Sequence, residues 1–146
     1  MEYRYRPMTI GDYEEIYALW RSLPGIALGK ADQRQNIEAY LARNPGQSFV
    51  GEREGRIVGA VLCGNDGRNA YIYHMAVIPE HRRRGVAAEL VRLALDEQKK
   101  HGRPKCHLRI FKENALGKAF WERQGFSVRQ ELSIMSKRLE EDCPDA

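Results

Sequence analysis

The stretch of this chain richest in chemistry reads Met75-Ala76-Val77-Ile78-Pro79-Glu80-His81-Arg82-Arg83-Arg84-Gly85-Val86-Ala87. An apolar, strand-like segment enters a basic turn, and the turn opens an amphipathic helix. That order suits a polyphosphate. The first amides of a helix have no internal acceptor, and the helix dipole adds about half a positive charge at the same end. Gly85 and the small Ala87 let a diphosphate come close to those donors, while Arg82, Arg83 and Arg84 place charge beside them. An arginine triplet alone is ordinarily a solvated turn. The attached Gly-x-Ala, the helix and the upstream strand point instead to a ligand.

The elements that must hold this turn are legible around it. Residues 71–78 form a strand that Pro79 closes. Residues 85–101 form a helix, with Val86, Leu90 and Ala94 in one apolar row, Ala87 and Val91 widening it, and Glu89, Arg92, Asp96 and Lys99 on the wet side. Upstream, residues 3–6 alternate as a short strand. Thr9 with Asp12 resembles a capping box for a helix bearing Tyr13, Ile16, Trp20 and Leu23. Residues 32–43 form a second, mostly polar helix that ends at Asn44-Pro45-Gly46. Residues 48–54 and 56–63 pair as strands, and Asn65-Asp66-Gly67 is a turn. Downstream, residues 106–111 form a strand. Asn114 caps a helix with Leu116, Ala119 and Phe120 inward, and Gly125 ends it. Residues 126–129 and 132–139 give two closing strands, and 140–146 a frayed tail. The expected fold class is α+β: a mixed, mostly antiparallel central sheet flanked by helices, in the order β-α-α-β-β-β-α-β-α-β-β.

The chain has 146 residues, enough for one domain spanning 1–146, with 24 Lys and Arg against 20 Asp and Glu and a net charge of +4. No apolar run approaches the roughly 18 residues that span a bilayer, and the N-terminus lacks the apolar core of a signal peptide, so a cytoplasmic protein is expected. Cys63 and Cys106 lie in apolar segments and read as small core residues, and Cys143 lies in a polar tail. Their odd count and wide spacing do not suit a zinc knuckle. His74, His81, His101 and His107 show no ligand-like spacing with acids, so no metal is expected.

The spacing Arg82-x-x-Gly85-x-Ala87, with Met75-Ala76-Val77-x-Pro79 before it, resembles the acetyl-CoA pyrophosphate loop of the GNAT superfamily of N-acetyltransferases. Asn114, then Trp121, then Gly125-Phe126 resembles the family's Asn…Tyr…Gly-Phe helix. Asp66-Gly67-Arg68 and the Asn44-Pro45-Gly46 turn resemble a bacterial branch typified by YpeA. The resemblance implies transfer of an acetyl group from acetyl-CoA to an amine by direct attack in a ternary complex. It implies backbone contacts to the cofactor at Met75, Ala76 and Val77 beside a bulged central strand, diphosphate contacts from Arg82, Arg83, Arg84, Gly85, Val86 and Ala87, and a pantetheine contact from Asn114. It also places the last hairpin near a dimer interface.

One departure matters. Trp121 stands where the family has a tyrosine cast as the acid for the leaving thiolate. An indole N–H donates but does not titrate near neutrality. Trp121 is therefore read as packing or lining the acyl pocket. For the amine proton, Tyr73 through a chain of waters and His74 are the candidates; a merely packed or surface histidine is the competing reading. Tyr71 and Tyr73 alternate onto one face of their strand and His74 onto the other. The acceptor is expected among the first two helices and the last hairpin, at Trp20, Tyr17 and the loop 24–30. A non-catalytic CoA-binding module is the alternative function. Nucleic-acid binding through the arginine triplet is a third, and neither nucleic acid nor membrane is an expected partner.

Overall fold

The computed structural model describes residues 2–140. Five strands, β1 (Arg4–Pro7), β2 (Phe49–Arg53), β3 (Arg56–Asn65), β4 (Ala70–Val77) and β5 (Cys106–Leu108), form one sheet in that spatial order. Neighbours are antiparallel except β4 and β5, which run parallel. The helices are α1 (Tyr13–Ser22), α2 (Arg34–Arg43), α3 (Val86–Lys100) and α4 (Ala115–Arg123).

Two apolar clusters sandwich the sheet. On one face Ile16, Leu19 and Trp20 of α1 and Ile37 of α2 meet Val50, Ala60, Leu62 and Ala76. On the other, the expected row Val86, Leu90 and Ala94 of α3 is buried against Phe49, Val58, Val61, Cys63, Ile72 and Val77. Leu90 is wholly enclosed, a burial that contributes about 1.5–3 kcal/mol. α3 lies close because Gly59 sits under it: a β-carbon there would stand 3.0 Å from Val86 Cγ1, 3.2 Å from Leu90 Cδ1 and 3.2 Å from the Ala76 carbonyl. The far end of α3 is fixed by buried amides. Gln98 Nε2 donates to Gln47 Oε1 at 2.8 Å, and Asn65 Nδ2 donates to both Gln47 Oε1 and Gln98 Oε1.

At the chain start, Thr9 N–H donates to the Asp12 carboxylate at 2.9 Å, as the capping pattern anticipated, but the turn it opens is a short 3-10 segment, Ile10–Asp12, ahead of α1. Arg6 grips the same carboxylate with two N–H groups, each at 2.8 Å, and also reaches Glu52. Burial raises the Asp12 pKa, but Arg6 and the Thr9 amide outweigh it and hold the carboxyl below the ordinary aspartate range.

Four expectations need correction. The second helix begins at Arg34; a 3-10 turn, Lys30–Asp32, precedes it. β5 stops at Leu108 instead of 111. In α4, Leu116 is 87% exposed, and Trp121, packed on the α3-side cluster, is the inward residue in its place. The closing strands at 126–129 and 132–139 are not formed: residues 126–140 carry no helix or strand, and a turn closed by Leu132 N–H on the Arg129 carbonyl is what remains of the hairpin. A strand needs an edge as well as an alternating pattern. The three residues of β5 provide little edge, and Leu132, Ile134, Met135 and Leu139 stay exposed. Cys143 and most of the frayed tail lie outside the described residues.

Candidate acyl-CoA site

β4 has strand partners on both sides only over its first part. Its pairing with β5 ends at Ile72 opposite Leu108, whereas its pairing with β3 continues to Val77 opposite Gly59. From Tyr73 to Val77 one margin of β4 therefore has no strand beside it among the described residues. Within that stretch the β3–β4 register slips: Leu62 faces His74 and Cys63 faces Ile72, so Tyr73 is an extra, bulged residue. Bulges leave ladder groups unpaired and re-aim side chains. Here the bulge overturns the expected alternation. Tyr73 stacks on Tyr71 and meets Tyr40 of α2 at 5.9 Å between ring centroids, and His74 meets Trp20 of α1 at 4.7 Å. Tyr73 and His74 thus share the α1–α2 face.

β4 leads through the 3-10 turn Pro79–His81 into the arginine loop. Tyr3 Oη lies 2.8 Å from His81 Nδ1, which ties that turn to the chain start. Arg82, Arg83 and Arg84 are exposed; Arg82 Nε also donates to the Val77 carbonyl at 3.3 Å. Gly85 is the N-cap of α3 at φ 83°, a left-handed geometry that disfavours other residues, and its missing β-carbon would meet nothing within 4 Å. The turn is shaped further by Arg83 at φ 62°. The amides of Val86, Ala87 and Ala88 precede the first internal acceptor of the helix, since Glu89 N–H is the one that reaches Gly85 O, at 3.0 Å.

Asn114 caps α4 by accepting the Gly117 N–H on Oδ1 at 2.9 Å, and Gly25 of the 24–30 loop lies near its amide nitrogen. The helix ends with Phe126 N–H on Trp121 O and Gly125 N–H on Glu122 O, the paired closure of a Schellman motif. Trp121 is half-buried between the edges of Phe120 and Phe126. The Cys63 thiol is pushed far up by its hydrogen bond to Cys106 and by burial, so it is an inert thiol and no acylation nucleophile.

Asp32 escaped the sequence reading. It is buried, its Oδ2 accepts the Gly29 N–H at 3.0 Å, and its Oδ1 lies 2.8 Å from His74 Nε2. The spacing from Gly29 to Asp32 carries the turn but gives no sign of a partner on β4.

A mixed sheet whose fourth and fifth strands part beyond Ile72, and whose fourth strand leads through a basic loop into a glycine-capped helix, has the architecture of the acyl-CoA N-acyltransferase class. The chain belongs to the acetyltransferase (GNAT) family, whose profile matches residues 13–126. It is an acyl-CoA-dependent N-acetyltransferase, with acetyl-CoA as co-substrate. It is 28% identical over 131 residues to acetyltransferase SG1711 of Sodalis glossinidius, covering 90% of this chain and 92% of that one. The fold is shared with the PaiA N-acetyltransferase of Thermoplasma acidophilum in complex with coenzyme A (TM-score 0.78, 18% identity, 88% and 92% of the two chains). It is also shared with Ard1 of Thermoplasma volcanium (TM-score 0.77, 21% identity, 88% and 85%). Among the described residues no group of His, Cys, Asp and Glu is placed to hold a metal, and no helix is long and apolar enough to cross a membrane.

Proposed function

We propose that acetyl-CoA lies with its diphosphate on the amides of residues 82–87 and its pantetheine arm along the open margin of β4 at Met75, Ala76 and Val77, with Asn114 beside the arm. The amine then arrives from the α1–α2 face, past Tyr17 and the 24–30 loop, and attacks the thioester directly in a ternary complex; Trp20, expected at the acceptor, is instead enclosed in the core behind His74. The observation that carries this reading is the end of β4–β5 pairing at Ile72 while β4 runs on toward the Gly85 cap. The margin offers backbone donors and acceptors to an amide-bearing arm, and the open space at Gly85 admits a bulky anion. Holding two substrates in register supplies much of the rate in such a reaction. Trp121 takes a packing role against Phe126, and water completes protonation of the departing thiolate. The protein works as a single catalytic domain in the cytoplasm, in the YpeA-like branch, and the exposed apolar residues of 128–139 support a homodimer.

Isothermal titration calorimetry with acetyl-CoA tests the seat. Ala87→Asp puts a carboxylate in the first turn of α3, where the helix dipole favours it for folding, yet where it would repel a diphosphate. Ala87 also packs partly on the α3-side cluster, so we expect the variant to fold with a somewhat lower melting temperature and to lose at least about tenfold in acetyl-CoA affinity, a free-energy change of ~1.4 kcal/mol. Undiminished binding by this variant would remove the diphosphate from this turn.

A further inference from the structure

The Asp32–His74 pair has no task in the diphosphate seat. His74 follows the Tyr73 bulge and lies within the open stretch of β4, one residue before Met75. Its Nε2 lies 2.8 Å from Asp32 Oδ1, and the ring keeps 12% of its surface open. Asp32 is itself held on two sides. Gly29 N–H donates to its Oδ2, and its main-chain carbonyl accepts the Tyr13 hydroxyl at 2.7 Å. Trp20 lies edge-on to the imidazole, is wholly enclosed, and has an Nε1 with no partner among the described residues. His74 Nδ1 makes no hydrogen bond among those residues either.

A carboxylate on one imidazole nitrogen fixes the proton there and leaves the other nitrogen a bare acceptor. Buried polar groups are ordinarily satisfied, so an enclosed orphan donor next to an uncommitted imidazole is unlike packed core. We propose that His74, positioned by Asp32, is the base that takes the proton from the acceptor ammonium. This rests on the placement of the thioester along β4 given above. The ammonium passes one proton to His74 Nδ1, and the nitrogen lone pair forms the C–N bond at the thioester carbonyl carbon. The C–S bond breaks with its electron pair on sulfur, and the second amine proton reaches that sulfur through water. The imidazolium then returns its proton to water. The groups around His74 are Trp20 from α1, Leu62 opposite on β3, Asp32 from the turn before α2, and the neighbouring Tyr73 with Tyr40 of α2 against it. Asp32 is the one carboxylate among them.

Two measurements on the full chain test this. Long-range proton–nitrogen NMR of histidine-labelled protein, with His74→Gln identifying the signal, needs no acceptor. It should show His74 protonated on Nε2 with Nδ1 bare; the opposite tautomer overturns the proposal. The second follows thiol release from acetyl-CoA with spermidine, kanamycin and a peptide bearing a free α-amine. On whichever is acetylated, His74→Gln should lower kcat by at least about 100-fold and move the acid limb of the rate profile up to the titration of the amine itself. Asp32→Asn should lower kcat by at least about tenfold, and both variants should bind acetyl-CoA as the parent does. A His74→Gln rate within about threefold of the parent, or an unmoved limb, overturns the assignment. If the parent protein fails to bind acetyl-CoA, the cofactor seat falls; if it binds while the profile ignores His74, only the base falls. Should His74→Gln not fold, Asp32→Asn still decides, because it must lower kcat with acetyl-CoA affinity unchanged.

Discussion

Gly85 offers the sharpest trial of the cofactor turn, because steric and conformational costs separate there. Its φ of 83° lies in the left-handed region, and a β-carbon built on it meets nothing within 4 Å. Gly85→Ala therefore brings no clash and a purely conformational penalty of about 1–2 kcal/mol. Part of this is offset by ~0.4–1 kcal/mol of entropy removed from the unfolded chain. A net loss near 1 kcal/mol corresponds to a fall in Tm of roughly 2–4 °C for a protein of this size. Binding should suffer more visibly. If the alanine relaxes to negative φ in the free protein, restoring the turn around a diphosphate costs the same 1–2 kcal/mol, or roughly 5- to 30-fold in Kd. Gly85→Asn is the control, since asparagine tolerates this region better than other residues with a β-carbon. Its Tm and acetyl-CoA affinity should fall between those of alanine and the parent. Thermal melts and calorimetry read both quantities. If Gly85→Ala leaves melting and affinity untouched, or asparagine proves worse than alanine, the left-handed cap is not what shapes the seat.

Other expectations follow from different parts of the molecule. Gly59→Ala brings a β-carbon to 3.0 Å from Val86 Cγ1 and 3.2 Å from the Ala76 carbonyl; overpacking of that kind costs about 1–3 kcal/mol. Val86→Ala should relieve part of it, so a double-mutant cycle in urea should give a favourable coupling of ~0.5 kcal/mol or more, and strict additivity would contradict the close approach. Asp12 ionises below the ordinary aspartate value of 3.8 when folded, so the folded chain binds fewer protons than the unfolded one in that range. Its contribution is therefore complete above 3.8 and disappears as pH falls through the lower native value. Asp12→Asn should flatten the acid side of a urea-midpoint profile between about pH 2 and 5, and an unchanged slope would refute the Arg6–Asp12 linkage. Trp121→Phe keeps an aromatic ring against Phe126 and removes, with part of the indole, an N–H that does not titrate near neutrality. Its kcat should stay within about threefold of the parent, whereas a loss of 100-fold or more would return Trp121 to the proton chemistry.

What could be read from the chain follows the reach of each physical signal. α3 was legible because Val86, Leu90 and Ala94 repeat at helical spacing and Gly85 marks the cap, all within one local stretch. The first four strands were legible for the same reason: alternation, plus turn residues such as Asp66, whose carboxylate takes the Arg68 and Asn69 amides at 2.8 and 2.9 Å. The side on which His74 lies was not legible. One unpaired residue at Tyr73 reverses the period-2 rule, and the slip is defined by the register against Leu62 and Cys63. Asp32 was missed because its partner is 42 residues away and its own neighbourhood is satisfied by the Gly29 turn. The closing hairpin shows the converse error. Leu132 and Ile134 alternate as a strand should, but alternation specifies a face and says nothing about whether a ladder is on offer.

The half-paired state of β4 has a consequence for isotope exchange. Ile78 N–H donates to Val58 O across to β3, so by alternation the amides of Val77 and Met75 turn outward; the Val77 carbonyl already takes a side-chain donor on that side. In deuterated solvent these two N–H groups would trade hydrogen quickly while their neighbours Ala76 and Ile78 hold it. A carrier lying along the strand would slow that pair alone, turning two backbone positions into a native gauge of how often the groove is filled.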